Sequence, residues 1–308
     1  MNKIDNVDSQ HFSDVFDIDF VNTEGFAQSE LQRMNIAYNK LSLIRYKDGV
    51  SVWRIITDDD SVVLKCFDKL EYRREISNYQ MLATLGIPTL KLIAYTDCSF
   101  IMEDIERSRY RLATMDDISE PKIAIEIARW YKTLHQNGRQ YANTHQMFDE
   151  CDMITIENIH TIKEKTATKE LPTWMIIEKN LDKIRNAAMS LPRTLNYNDF
   201  YYTNLVIARD NSSVIMFDYN LLGKGYVYSD IRNVYYSLGS DEARKAFLTE
   251  YGNYDENEKL IDDVVDSLYS LYIACKQKYF PNWANDLLKK LKDGRLLAAV
   301  EKLLEEIG

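Results

Sequence analysis

Asp199, Asn204 and Asp218 are the residues of this chain best suited to chemistry on a phosphate. The first two lie in Leu195-Asn196-Tyr197-Asn198-Asp199-Phe200-Tyr201-Tyr202-Thr203-Asn204-Leu205-Val206-Ile207, and the apolar stretch Ser213-Val214-Ile215-Met216-Phe217 runs straight into Asp218. Phosphoryl transfer needs an acceptor for the proton of the attacking hydroxyl, oxygen ligands for magnesium, and a device that holds the nucleotide. Asp199, in a loop ahead of a short strand, can take the proton. Asn204 and Asp218 supply one amide oxygen and one carboxylate, enough protein ligation for a hard cation that keeps several waters. The spacing predicts a hairpin, turning at Arg209-Asp210-Asn211-Ser212, on which the three side chains converge. An Asp with an Asn five residues on is common by chance, and both types serve as plain turn residues. The upstream half of the chain supplies the context.

Leu41 to Phe67 reads as a meander of three β-branched strands with a turn at Lys47-Asp48-Gly49 and another at Asp58-Asp59-Asp60. Its odd member is Lys65, in Val62-Val63-Leu64-Lys65-Cys66-Phe67. A lysine in an apolar strand either points to solvent from a sheet edge or finds a carboxylate, since an unpaired buried ammonium is costly. Glu75, ten residues on in a helix predicted from about Glu71 to Leu85, can pair with it, and a strand lysine held by a helix glutamate is how kinases contact nucleotide phosphates. The turn has one glycine, so neither a Gly-x-Gly-x-x-Gly run nor a Walker A loop is present. Gly49 and the backbone and hydroxyl of Ser51 are then the candidates for covering the phosphates. After Gly86-Ile87-Pro88, two more short strands, around Leu90 to Tyr95 and Ser99 to Ile105, complete an expected five-stranded antiparallel sheet with one helix.

With this order of parts the chain resembles the aminoglycoside phosphotransferase family, which includes choline-type kinases. The resemblance covers roughly residues 40 to 280, carried by Val63-Leu64-Lys65, Arg74-Glu75, Phe100-Ile101-Met102-Glu103, the helix Ile123 to His135 before Asn137-Gly138, the Asp199 loop, Asp218, and Gly225 followed by Asp230. It implies an α+β, two-lobed, protein-kinase-like fold: a small antiparallel-sheet nucleotide-binding lobe over residues 1–102, a hinge at 103–106, and a larger, mainly helical lobe over 107–308. It further implies that Lys65 contacts the α- and β-phosphates of ATP or GTP and Glu75 orients it. Asp199 is then the catalytic base, and Asn204 and Asp218 hold Mg2+. The backbone of Glu103 and Ile105 meets a purine with Met102 beside the ring, and Asp230 braces the catalytic loop. The family usually carries His-Gly-Asp or His-Asn-Asp in that loop; here it is Tyr197-Asn198-Asp199, and the ring and polar tip of Tyr197 can brace in place of the histidine.

Composition bounds the rest. At 308 residues, 45% of them apolar and in periodic segments, the chain has room for two lobes, with disorder expected only in the first 20 or so residues. No run of about 18 apolar residues spans a membrane, and the polar start Met1-Asn2-Lys3-Ile4-Asp5 is unlike a signal peptide. Cys66, Cys98, Cys151 and Cys275 are scattered without metal or disulfide spacing, as expected of reduced cytoplasmic thiols. The formal charge of −10 argues against nucleic acid and for a cationic ligand. Between Asp241 and Asp266 nine acidic residues face three basic ones, among tyrosines such as Tyr228, Tyr236 and Tyr269 that can stack on a sugar or cage an amine. The expected partners are therefore a nucleoside triphosphate and a small cationic molecule, an aminoglycoside-type amino sugar first and choline or another amino alcohol second. A silent nucleotide-binding member of the family is the alternative of a different class. No Asp-Phe-Gly or Ala-Pro-Glu segment follows Asp218, against a protein kinase.

Further helices are predicted from Pro121 to Gly138, Thr173 to Ala188, Asp241 to Tyr251, Asn257 to Tyr279 and Trp283 to Ile307. His135 reads as helix-terminal packing.

Overall fold

The computed structural model describes residues 20–308; the expectations for the disordered start and the polar residues Met1 to Asp5 fall outside them. The described chain divides into two compact units. One holds the residues up to Leu112 with Val206–Asn220, the other Ala113–Leu205 and Leu221–Gly308.

The first unit opens with helix α1 (Glu24–Arg33), absent from the sequence-based expectation, where Thr23 Oγ1 caps the end by accepting the N–H of Phe26. Strands β1 (Lys40–Lys47), β2 (Val50–Ile56) and β3 (Ser61–Phe67) form the meander and helix α2 (Leu70–Thr84) follows. With β4 (Leu92–Tyr95) and β5 (Ser99–Glu103) they make an antiparallel sheet of order β1-β2-β3-β5-β4. Asp48 (φ 52°) and Gly49 (φ 84°) adopt the left-handed pair that a two-residue hairpin turn needs. β3 is central: Lys65 lies in register with Val52 on one side and Phe100 on the other. Side chains alternate along a strand, so Leu64 and Cys66 pack toward Ala27 and Leu31 of α1 while Lys65 takes the other face. The solvated edge-strand alternative for Lys65 therefore fails.

Strand β6 (Tyr110–Leu112) ends this part of the chain, and the second unit starts with helix α3 (Pro121–Thr144). Its inner stripe, Ile123, Ile127, Trp130, Tyr131, Leu134 and His135, is buried. The expected stop at Gly138 does not occur. Gly138 lies inside the helix because Leu195 packs on it, and a Cβ there would come 2.6 Å from Leu195 Cγ. Helices α4 (Ile156–Lys165) and α5 (Pro172–Ser190) lead to strand β7 (Thr194–Asn196). The chain then contributes β8 (Leu205–Ala208) and β9 (Val214–Met216), which join β6 in the order β6-β8-β9. The hairpin expected to carry all three polar residues is this one, yet it carries none within its strands: Asn204 directly precedes β8 and Asp218 follows β9 by two residues, with Asp199 in the loop before them.

Strand β10 (Gly223–Gly225) pairs antiparallel with β7, and helices α6 (Val227–Ser237), α7 (Asp241–Tyr251) and α8 (Glu256–Lys276) follow. The single late helix expected from Trp283 to Ile307 is two, α9 (Asn285–Lys292) and α10 (Arg295–Ile307), divided at Gly294, whose φ of 85° no helix interior accommodates. Helices α4, α5, α8 and α10 enclose the main core of this unit around Ile162, Trp174, Ile177, Val264, Leu271 and Leu303. Among the described residues no helix is long and apolar enough to cross a membrane.

Candidate active site

In the first unit, Lys65 Nζ lies 2.6 Å from Glu75 Oε2 and 3.1 Å from Asp218 Oδ1. Strand, helix and late carboxylate meet on one ammonium. Burial alone would depress the lysine, but Glu75 and Asp218 more than offset it and hold the ammonium above its ordinary value. At Glu75 burial wins over the attraction of Lys65, and with the charge of Asp218 adding to it the carboxyl is pushed up to about 7. When Glu75 is ionised, two carboxylates share one ammonium and a negative charge is in surplus.

The segment bearing Asp218 is fixed by α2. Asn78 Nδ2 donates to the carbonyl of Tyr219 at 2.9 Å, and the Tyr79 ring meets the Tyr219 ring edge-on at 4.8 Å. Glu75, Asn78 and Tyr79 are three and four residues apart, one helix face. Asp218 itself stands at φ 63°, a conformation that Asp tolerates better than most residues. Asn220 Nδ2 donates to Asp218 Oδ1 at 2.7 Å. Neither Asn78 nor Asn220 was among the expected site residues; the Asp-x-Asn spacing of 218 and 220 was the available signal.

The residues expected around the nucleotide divide. Met102 is buried in β5, and Glu103 ends that strand with its N–H on the Lys91 carbonyl and its Oε1 accepting the Lys91 N–H. Ile105 begins a short 3-10 turn capped by Asp104. Ser51 requires correction: its hydroxyl is buried, donating to the Val21 carbonyl at 2.6 Å and accepting the Trp53 indole N–H at 3.0 Å, so it faces the core beneath α1 rather than a phosphate. Gly49 has a structural demand of its own, because the Asp68 carboxylate packs on it where a Cβ would stand, at 2.0 Å.

In the second unit, the loop after β7 is held from below by Asp230, fully buried near the start of α6. Its Oδ2 accepts the N–H of Tyr197 at 2.9 Å and its Oδ1 the N–H of Asn198 at 3.0 Å. The Tyr197 ring is buried, edge-on to Trp130 at 5.8 Å and to Tyr131 at 6.4 Å. Asn198, at φ 63°, turns the chain so that Asp199 follows, and Asn204 Nδ2 donates to Asp199 Oδ2 at 2.9 Å. His135 is not terminal packing. It lies inside α3 with Nε2 3.1 Å from Asp230 Oδ2 and Nδ1 2.7 Å from the Tyr251 hydroxyl.

The donors suit magnesium chemically. With its nitrogen turned to Asp199, Asn204 keeps an amide oxygen for a cation. The surplus charge beside Asp218, whose side chain is 34% exposed, is one that a divalent ion would neutralise. Among the described residues no group of three or more His, Cys, Asp or Glu is placed to hold a metal ion.

Residues 43–262 match the model of the phosphotransferase enzyme family. The chain belongs to that family. The phosphotransferase is accordingly an enzyme of the small-molecule kinase class, and its mixed fold is the protein-kinase-like one. Solved structures agree on the fold. The phosphotransferase is similar to the streptomycin–ATP ternary complex of APH(2")-IIa, with 15% identity, 89% of this chain and 97% of that one covered, and a TM-score of 0.59. The choline kinase LicA from Streptococcus pneumoniae is 15% identical, with 91% and 99% covered and a TM-score of 0.54. A Plasmodium vivax ethanolamine kinase is 14% identical, with 84% of each chain covered and a TM-score of 0.57. No curated protein matches in sequence.

Proposed function

We infer that the phosphotransferase moves the γ-phosphoryl group of ATP or GTP to a hydroxyl of a small amine-bearing molecule. The observation that carries this reading is the ammonium of Lys65 between Glu75 and Asp218, because a buried lysine with two carboxylates is arranged for an anion and a cation together. Lys65 pairs with phosphate oxygens of the nucleotide, and Glu75 fixes its direction. The backbone of Glu103 and Ile105, with Met102, receives the purine, and Gly49 lies in the turn over the phosphates. Asp199 accepts the proton of the acceptor hydroxyl as that oxygen bonds to the γ-phosphorus; the bond to the β-phosphate oxygen breaks and nucleoside diphosphate leaves. Asp230 and Tyr197 keep Asp199 in place. Asn204 and Asp218 would be the protein ligands of Mg2+, which would supply neutralisation of phosphate charge when bound.

The acceptor class is supported by relatives of the fold that act on amino sugars and on amino alcohols, together with the acidic excess of the chain. Four free, buried cysteines suit a cytoplasmic enzyme. Calorimetric titration with ATP and GTP tests the metal assignment. Wild type is expected to bind nucleotide more tightly with magnesium than without, and Asp218→Ala to lose that difference; a magnesium effect preserved in Asp218→Ala would contradict it.

A further inference from the structure

The face of the first unit's sheet that offers Lys65 carries a second polar cluster. Along β3 the side chains of Ser61, Val63 and Lys65 alternate to one face, and Arg54 of β2 shares that face because it stands directly opposite Val63. Lys65 and Ser61 are four positions apart on the strand, roughly 13 Å at the usual rise, a span that an extended nucleoside triphosphate covers. Lys65 serves the phosphate end, while Arg54 and Ser61, toward the other end, are both turned to Asp104.

Asp104 is buried and directly follows Glu103. Its Oδ2 accepts the Ser61 hydroxyl at 2.6 Å and lies 2.8 Å from Arg54 Nε. Its Oδ1 accepts the Glu106 N–H at 3.1 Å, its carbonyl accepts the Arg107 N–H at 3.0 Å, and the Ile105 carbonyl accepts the Ser108 N–H at 3.2 Å. The short turn thus uses the N–H groups of Glu106, Arg107 and Ser108 and leaves that of Ile105, its first residue, with no partner inside the turn. The far side is fastened as well. Arg54 Nη2 reaches Glu106 Oε1 at 2.7 Å, and Arg209 donates from Nη2 to the Glu106 carbonyl at 3.1 Å and from Nε to the Ser108 carbonyl at 3.2 Å. Arg209 directly follows β8, so the hairpin that runs on to Asp218 also ties down this turn.

We propose that Asp104, oriented by Arg54 and Ser61, is a positioning residue for the nucleotide. It holds the Glu103 to Ile105 backbone in its purine-receiving geometry in the free protein, so that the cost of ordering this turn does not fall on binding. A buried ion pair is a weak source of stability, but it fixes direction, and direction is what backbone recognition of a ring requires. The proposal rests on the reading above in which that backbone receives the purine.

Calorimetry on the full chain with magnesium tests it. The probes are ATP and GTP, the corresponding nucleosides, and inorganic tripolyphosphate, which can meet Lys65 but has no purine. For the nucleotide that wild type binds more tightly, Asp104→Ala should weaken binding about ten-fold, and its nucleoside likewise, with tripolyphosphate within about two-fold of wild type. Asp104→Asn, which keeps an oxygen for the Glu106 N–H, should lose less. Arg54→Gln, at a side chain that reaches solvent, should weaken the nucleotide about five-fold and serves as the test where Asp104→Ala does not fold. Nucleotide affinity within about two-fold of wild type in the folded variant overturns the proposal, and so does an equal loss for nucleotide and tripolyphosphate, the mark of a generally loosened fold. A wild type that binds nucleotide no more tightly than tripolyphosphate overturns the purine reading together with the proposal. A purine preference that survives both Asp104→Ala and Arg54→Gln overturns the proposal alone.

Discussion

Asn198 is suspended from Asp230: its N–H donates to Oδ1 at 3.0 Å while its own backbone is held at φ 63°. The loop conformation that presents Asp199 is thus maintained by a buried carboxylate 32 residues further on. Asp230→Ala removes the acceptor for the buried N–H of Tyr197, the partly buried N–H of Asn198, and the partner of His135. The expected cost is about 2–4 kcal/mol of unfolding free energy in urea, from groups left buried and unmatched. In the folded fraction kcat should fall while nucleotide KM stays near wild type.

Glu75 makes stability and activity depend on pH in opposite directions. Its folded pKa is about 7 against an ordinary 4.5, raised chiefly by burial. Between those values the folded protein keeps a proton that the unfolded chain has released, so this group's contribution to stability is full below about pH 4.5 and declines as pH rises toward 7. Activity needs the ionised partner of Lys65 and should fall as pH drops below about 7. Melting curves of wild type and Glu75→Gln should show the wild type losing stability relative to the variant over that window. The acid limb of kcat/KM near 7 should disappear in Glu75→Gln, at a lower plateau.

Ser51 separates support from binding. With its hydroxyl bonded to Val21 and Trp53 inside the core, Ser51→Ala should cost about 1–2 kcal/mol of stability. The KM for ATP is expected to stay within about two-fold of wild type, since only direct contacts would shift it by the 1.4 kcal/mol that makes ten-fold. A large KM change with unaltered stability would reinstate a phosphate contact for this residue.

How far the sequence revealed these features follows from how local each signal is. The meander, α2 and the Lys65–Glu75 meeting were legible because strand alternation, the Asp48-Gly49 turn and a ten-residue spacing are near-neighbour features. Ser51 was misread because alternation says that a residue has a face, not which helix covers it; the cover, α1, carries little periodic signal of its own. Gly138 looked like a helix stop because the reason for it, the side chain of Leu195, is 57 positions away. His135 was underestimated likewise, its partners Asp230 and Tyr251 coming from α6 and α7. Contacts of that range have no pattern in a single chain.

In the proposed magnesium-dependent phosphoryl transfer Asp199 is the base. The decisive measurement is release of nucleoside diphosphate from ATP and from GTP, with magnesium, in the presence of aminoglycosides, choline, homoserine or simple sugars, for wild type and Asp199→Asn. Wild type should show acceptor-stimulated release, and Asp199→Asn should lose about 100-fold or more in kcat with nucleotide affinity retained. Full turnover in Asp199→Asn would contradict that role.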